Sequence, residues 1–201
     1  MSSPRLALIV EGHGEVTALP ELVRRIARAL EPPVYPQIIP PIRRPKHALI
    51  HTPRILETTI ELAVRNVSEM GGIMVLLDSD KDCSVELAST LHRRAAIVRH
   101  DVPISVVIAR HEFEAWFIAA SASLVREGVI IEGEHPSNNP DEISNTKAWI
   151  RNRMSTGTYR ETLDQVRLAS VIDLQEARLS RSFRKFHKEI EAPLIAAHLK
   201  P

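Results

Sequence analysis

Cysteine is almost missing: the 201 residues hold one, Cys83. One thiol forms no internal disulfide, and no Cys/His cluster offers a structural zinc site, so a reducing, cytoplasmic setting is expected. Long apolar runs are missing as well. The N-terminal "MSSPRLALIVEGHGE" has only "LALIV" before Glu11, too short for the core of a secretory signal. No stretch approaches the roughly 20 residues of a membrane span. Aromatic residues make up 4%, which argues against a surface that stacks single-stranded bases. No GxxxxGK[ST] segment occurs, so a nucleotide-hydrolysing phosphate loop is not inferred. Neither sign of charge dominates: 26 Lys and Arg against 25 Asp and Glu leave +1. The total therefore says nothing of a polyanionic partner.

What is present is an ordinary globular mix, 44% hydrophobic and 25% charged, at a length that fits one domain with a small appendage. "RLALIV" (5–10) reads as a buried strand. Apolar residues then recur at helical spacing from Glu15 to Leu30. In "EPPVYPQIIPPIRRP" the prolines forbid a helix and a central strand, leaving "VYPQII" as an edge strand and the rest as an extended loop carrying Arg43, Arg44 and Lys46. Residues 53–69 predict a helix closed by Gly71 and Gly72. "IMVLLD" and "PISVVIA" (103–109) are continuous apolar runs, the mark of strands covered on both faces. Residues 84–99 and 112–125 predict helices. The rhythm implies an α/β domain over 1–128, with a mostly parallel four-stranded sheet flanked by helices. After Gly128, "EGEHPSNNPDEISN" reads as a linker and 142–198 as helical with no strand, so 129–201 is expected to be a helical C-terminal extension packed on the domain.

Three expected strand ends carry acids: Glu11, with Glu15 one helical turn on; Asp78, Asp80 and Asp82 in "VLLDSDKDC"; and Glu112 and Glu114. Ligands of open parallel sheets sit beyond the carboxyl ends of the strands. Like charges this close repel, so something positive belongs there. Oxygen-only ligands suit Mg²⁺ or Mn²⁺. The plainer reading is that Asp82 or Ser84 caps the following helix. Gly12 and Gly14 permit a tight turn at a helix N-terminus, which attracts anions such as phosphate. His13 lies in that turn and is as well explained as solvent-exposed. Cys83 has no evident base nearby, so a capping or half-buried thiol is expected. Trp116, Phe117, Trp149, Phe183 and Phe186 are expected to pack the core and the C-terminal helices.

"LIVEGHGE" and "VLLDSDKD" resemble, in order and strand context, the Toprim fold of topoisomerases, primases and OLD-type nucleases. With "HEFEAWFIAA" (111–120), "TYRETLDQVRLASVID" (158–173) and "LSRSFRKF" (179–186), the chain resembles more closely the small, stand-alone Toprim-like proteins of the DUF4276 family. The resemblance implies a Toprim-like Rossmannoid in which Glu11 is a metal ligand or general base. It makes Asp78 and Asp80 metal ligands, Asp82 a further acid, and Glu15, Glu112 and Glu114 supporting acids. The Toprim versions found in topoisomerases and primases carry a glycine two residues after DxD; here Asp82 and Cys83 follow, which fits the OLD-like branch better. A topoisomerase would need a nucleophilic tyrosine on a separate domain and a bacterial primase a zinc module.

Such a site suggests metal-assisted phosphodiester hydrolysis, with Glu11 accepting the water's proton. Lys81 or Arg110 would offset phosphorane-like charge, unless they are simply solvated surface cations. From Lys147 to Lys188 ten basic residues (Lys147, Arg151, Arg153, Arg160, Arg167, Arg178, Arg181, Arg184, Lys185, Lys188) face four acids. Arg160, Arg181, Arg184 and Lys185 are thus candidates for nucleic-acid contact, against the reading that they form solvated helix faces. The first hypothesis is a metal-dependent nuclease in DNA processing or phage defence beside a separate ATPase, a partner the resemblance implies. The second is a non-catalytic Toprim-like module regulating an ATPase complex. An oligomer is compatible with both. A phosphatase whose DxD opens its fold is disfavoured, because here a glutamate strand precedes it.

Overall fold

The computed structural model describes residues 3–67, 71–133 and 139–198. The first strand, β1 (Arg5–Val10), is followed by α1 (Glu15–Arg28). Two short strands, β2 (Gln37–Ile38) and β3 (Ile42–Arg43), come next, then α2 (Lys46–His51) and α3 (Ile55–Val64). β4 (Gly72–Asp78), α4 (Ser84–Val98) and β5 (Ile104–Ala109) complete the alternation. Every pairing is parallel: β1 takes β2 and β3 on one edge and β4 on the other, and β4 takes β5. The sheet thus has five strands where four were expected. The edge strand expected at "VYPQII" is reduced to two residues, and β3 resumes the pairing beyond Pro40 and Pro41. Proline has no N–H to give the ladder, so the doublet interrupts an edge it could not interrupt in mid-sheet.

Strand parity sorts the core. Leu6, Leu8, Val10, Met74, Leu76, Val107 and Ala109 face one apolar cluster. Ala7, Ile9, Ile73, Val75, Leu77, Val106 and Ile108 face the other. The first cluster is closed by α1 and by helices beyond residue 129; the second by α2, α3 and α4. Both faces are covered, as continuous apolar strands require.

The remaining helices are α5 (Ala115–Ala119), α6 (Ser121–Arg126), α7 (Thr146–Arg151), α8 (Glu161–Val171), α9 (Leu174–Ala177) and α10 (Arg181–His198), with a 3-10 turn at Pro140–Glu142. The helix expected over 112–125 is therefore two short ones. The helix expected over 53–69 runs only from 55 to 64; its residues 68 and 69 lie outside the described residues, as do 134–138 of the expected linker. Lys46, expected in a loop, opens α2. Among the described residues after 129, the helical reading meets no strand, only one isolated antiparallel bridge, Ile130 to Met154.

The C-terminal helices share the first cluster with the sheet: Leu168, Ala169, Phe183 and Phe186 are buried with Leu8 and Leu19. Trp116 meets Phe113, Phe183 and Phe186 at centroid distances of 4.9, 5.2 and 4.9 Å, and its indole N–H donates to Ser182 Oγ at 2.8 Å. Such aromatic pairs contribute roughly 0.5–1.5 kcal/mol each beyond burial. α10 also guards the free edge of β5. Lys185 Nζ donates to the Val106 carbonyl at 2.7 Å and Ser105 Oγ donates to Glu189 Oε2 at 2.5 Å. An unpaired strand edge invites another chain, and these contacts blunt it. No helix among the described residues is long and apolar enough to cross a membrane.

Candidate functional site

The acids come from three neighbouring strands in the order β1, β4, β5, at their carboxyl ends, but they divide into two groups. Asp78 is the last residue of β4 and shares the parity of Met74 and Leu76. A period of two aims it at the face of α1 and α8. There it meets Glu15 and Glu114. Burial raises the Asp78 carboxyl well above the usual range, with the charges of Glu15, Glu114 and Glu11 adding to it. Burial likewise raises Glu15, to about 7, and Glu114.

Each acid of this group has a local reason to be where it is. Glu15 opens α1 and turns back to accept the N–H groups of Glu11 and Gly12, both at 3.1 Å. A Cβ on Gly12 would stand 2.8 Å from Glu15 Oε1, and one on Gly14 would stand 2.1 Å from Gln165 Oε1. The two glycines thus serve the return of Glu15 and the approach of α8. Gly14 is buried, so the anion seat expected at the start of α1 is covered. Glu114 lies at the start of α5 with no exposed surface. Its Oε1 accepts from Tyr159 Oη at 2.7 Å and Gln165 Nε2 at 2.9 Å, whereas its Oε2 is buried without a partner. The Tyr159 hydroxyl is held protonated by its burial and by Glu114.

Glu112 serves α7 instead, its Oε2 accepting from Thr146 Oγ1 at 2.6 Å and the Lys147 N–H at 3.2 Å. The Lys147 ammonium stands 3.7 Å from Glu112 and 3.4 Å from Glu161. Burial works against its charge, but Glu114, Glu161, Glu112 and Asp78 together keep its pKa above the ordinary lysine value.

Asp80 and Asp82 go the other way. Asp80 has φ +50° and His111, opposite it, +60°. Asp and His tolerate this left-handed region better than most residues. The Asp80 N–H donates to the His111 carbonyl at 2.9 Å and the His111 N–H to Ser79 Oγ at 2.7 Å, lacing the loops after β4 and β5 together. The turn carries Asp80 to the α2 side, where Lys46 waits. Its Nζ lies 2.8 Å from Asp80 Oδ2, 2.8 Å from Asp82 Oδ2 and 2.9 Å from the Ser79 carbonyl. Lys46 is buried although the two aspartate side chains are 61% and 56% exposed. Its three donors are matched by three acceptors. Asp82 and Ser84 do not cap α4: Cys83, exposed, takes the N-cap position without a side-chain cap bond.

Glu11 stands at the seam between the groups. Burial and the Asp80 charge raise its carboxyl, and it in turn raises Asp78 and Glu15. Its Oε2 is buried without a partner.

Two orphaned buried carboxylate oxygens, on Glu11 and Glu114, beside Asp78 make an all-oxygen donor set that fits a hard divalent cation better than zinc. As placed, no three His, Cys, Asp or Glu side chains among the described residues are grouped to hold a metal ion; coordination would require Glu11, Asp78 and Glu114 to close on the cation. Lys46, Lys147, Tyr159 and Gln165 complete the surroundings. The sequence signals for them are weak: a lysine just after Pro45, and a tyrosine and glutamine six apart.

Of the six cations expected to contact nucleic acid, Arg110, Arg181 and Lys185 line one cleft. Lys81 and Arg160 are exposed elsewhere, and Arg184 donates to the Arg178 carbonyl at 2.6 Å, closing α9. His13 is exposed in the β1–α1 turn.

No curated protein and no solved structure matches the chain. The family model for the domain of unknown function DUF4276 matches residues 10–191, from the end of β1 into α10, and the chain belongs to that family.

Proposed function

We propose that the cluster of Glu11, Asp78 and Glu114 binds Mg²⁺ or Mn²⁺ and that the protein hydrolyses phosphodiester bonds. One observation supports this reading: Glu11 and Glu114, which follow the two strands flanking β4 and lie within electrostatic reach of Asp78, each keep a buried carboxylate oxygen without a hydrogen-bond partner. Burying an unpaired polar atom is costly, so the arrangement is explained by a ligand that uses those oxygens. A divalent cation there would polarise phosphate oxygen and acidify a bound water. The protein's own parts are then clear. Glu11 accepts the water's proton on Oε2, Tyr159 and Gln165 hold Glu114 in one orientation, and Lys147, kept charged by its acids, offsets charge developing on the phosphate. The resemblance to Toprim nucleases of the OLD branch supports nucleic acid as the substrate, and work beside an ATPase in DNA processing or phage defence.

The test combines Mn²⁺ calorimetry with cleavage of plasmid and oligonucleotides in Mg²⁺ or Mn²⁺. Wild type is expected to bind and cleave; Glu11→Gln and Asp78→Asn are expected to lose both. Cleavage untouched by either substitution removes these acids from the reaction. A second reading, a non-catalytic module of an ATPase complex, is favoured by Lys46, which already neutralises Asp80 and Asp82. Mn²⁺ binding without cleavage of any substrate would select it.

A further inference from the structure

A cleft of about 830 Å³ lies away from the buried acids, at the carboxyl end of β5 between the first half of α4 and the first turn of α10. Arg110, from the residue after β5, and Arg181, at the start of α10, both face it. They are 71 positions apart in the chain, so only the fold brings them together. Arg110 is half-buried, yet among the described residues neither guanidinium has an acidic partner. Lys185 joins them, with one of its three protons committed to the Val106 carbonyl. Two acids, Asp141 and Glu142, also line the cleft. Asp141 Oδ2 accepts the Arg181 N–H at 2.9 Å, and its Oδ1 is buried without a hydrogen-bond partner. Glu142 Oε1 accepts from Asn139 Nδ2 at 3.0 Å.

A half-buried guanidinium without an ion-pair partner, as on Arg110, recruits anions, and the forked donors of Arg110 and of the exposed Arg181 suit phosphate. The cleft is at the upper end of the volumes that enclose small ligands, and it is open. His111 lines it and is also bonded to the loop that carries Ser79 and Asp80. We propose that this cleft binds the phosphate backbone of a nucleic-acid strand, with Arg110 and Arg181 as its phosphate contacts. The inference deepens the reading of the acid cluster as a phosphodiester-cleaving site and rests on it for the choice of a strand over a free nucleotide.

The experiment measures binding of labelled single- and double-stranded oligonucleotides in EDTA, where no cleavage intervenes, across a salt series. The Arg110→Gln/Arg181→Gln double variant, checked for an unchanged melting temperature, is expected to bind at least tenfold more weakly. Its log–log salt slope on duplex should be shallower by about 1.8, since each lost phosphate contact removes about 0.9. Arg28→Gln/Arg167→Gln, on exposed positions of α1 and α8, serves as the control and keeps both values. Wild-type affinity and slope in the cleft variant would overturn the proposal, as would a wild type that binds no oligonucleotide. Competition by a nucleoside monophosphate at equal concentration would overturn the strand in favour of a small phosphate ligand. Failure of the metal reading looks different: oligonucleotide binding in EDTA persists while Mn²⁺ binding and cleavage are absent.

Discussion

Asp80 and Asp82 share a single ammonium, and that ammonium is the positive group their spacing demanded. Lys46 was legible only as one of three cations in a proline-rich loop, because its partners lie 34 and 36 positions away and only β3 and α2 bring it under the β4 end. It also sits at the N-terminus of α2, where a cation opposes the helix dipole, so its placement answers to the aspartates and not to its own helix. By standing close to Glu11 it repels any cation that approaches the seam. Lys46→Gln is therefore expected to bind Mn²⁺ about tenfold more tightly, a change worth about 1.4 kcal/mol, read by calorimetry. Unchanged affinity would place the cation out of reach of Lys46.

At the scale of elements, the turn between β1 and α1 is held from two sides, by the Glu15 carboxylate from within and by α8 from above. Gly14 is where they meet, with the Gln165 side chain and the Glu161 carbonyl both within 2.5 Å of where a Cβ would stand. One of those neighbours is backbone, so α8 itself must move. Gly14→Ala is expected to cost roughly 1–3 kcal/mol, the range for overpacking, measured by urea denaturation, and to loosen the Gln165 bond to Glu114. Gly128→Ala is a useful contrast: there φ is +64° with no atom near, so any cost reflects backbone strain alone and leaves the acid cluster intact.

Over the whole molecule, the buried acids set the direction of the pH dependence. Glu15, Asp78 and Glu114 hold protons in the folded state to a higher pH than in the unfolded chain. Above their ordinary values, and for Glu15 up to about 7, the folded state therefore binds more protons, and stability falls as pH rises through that window. Glu57 acts oppositely: its bond with Arg94 depresses its carboxyl, so its contribution is lost as pH falls through that lowered value. In EDTA the urea midpoint is expected to be higher at pH 5 than at pH 8. Saturating Mn²⁺ at pH 8 should recover the difference, because a ligand of the folded state stabilises it by mass action. A midpoint higher at pH 8 in EDTA would mean that the acids are already neutralised by internal pairing.

The sequence by itself determined the layers and the strand ends. Short continuous apolar runs rich in β-branched residues and bounded by turn residues read as strands covered on both faces, so Glu11, Asp78, Glu112 and Glu114 were expected along one edge of a parallel sheet. The four expected strands are all present, but the helix over 112–125 is divided and a short further strand is added, since the break at Ala120 and the pairing of Ile42–Arg43 with β1 depend on neighbours far along the chain. Only the tertiary structure decided which acid faces which partner. Strand parity sends Asp78 to Glu15 and Glu114, a left-handed residue sends Asp80 to Lys46, and α7 claims Glu112. Charges choose partners by distance in space, and local sequence patterns do not encode that distance.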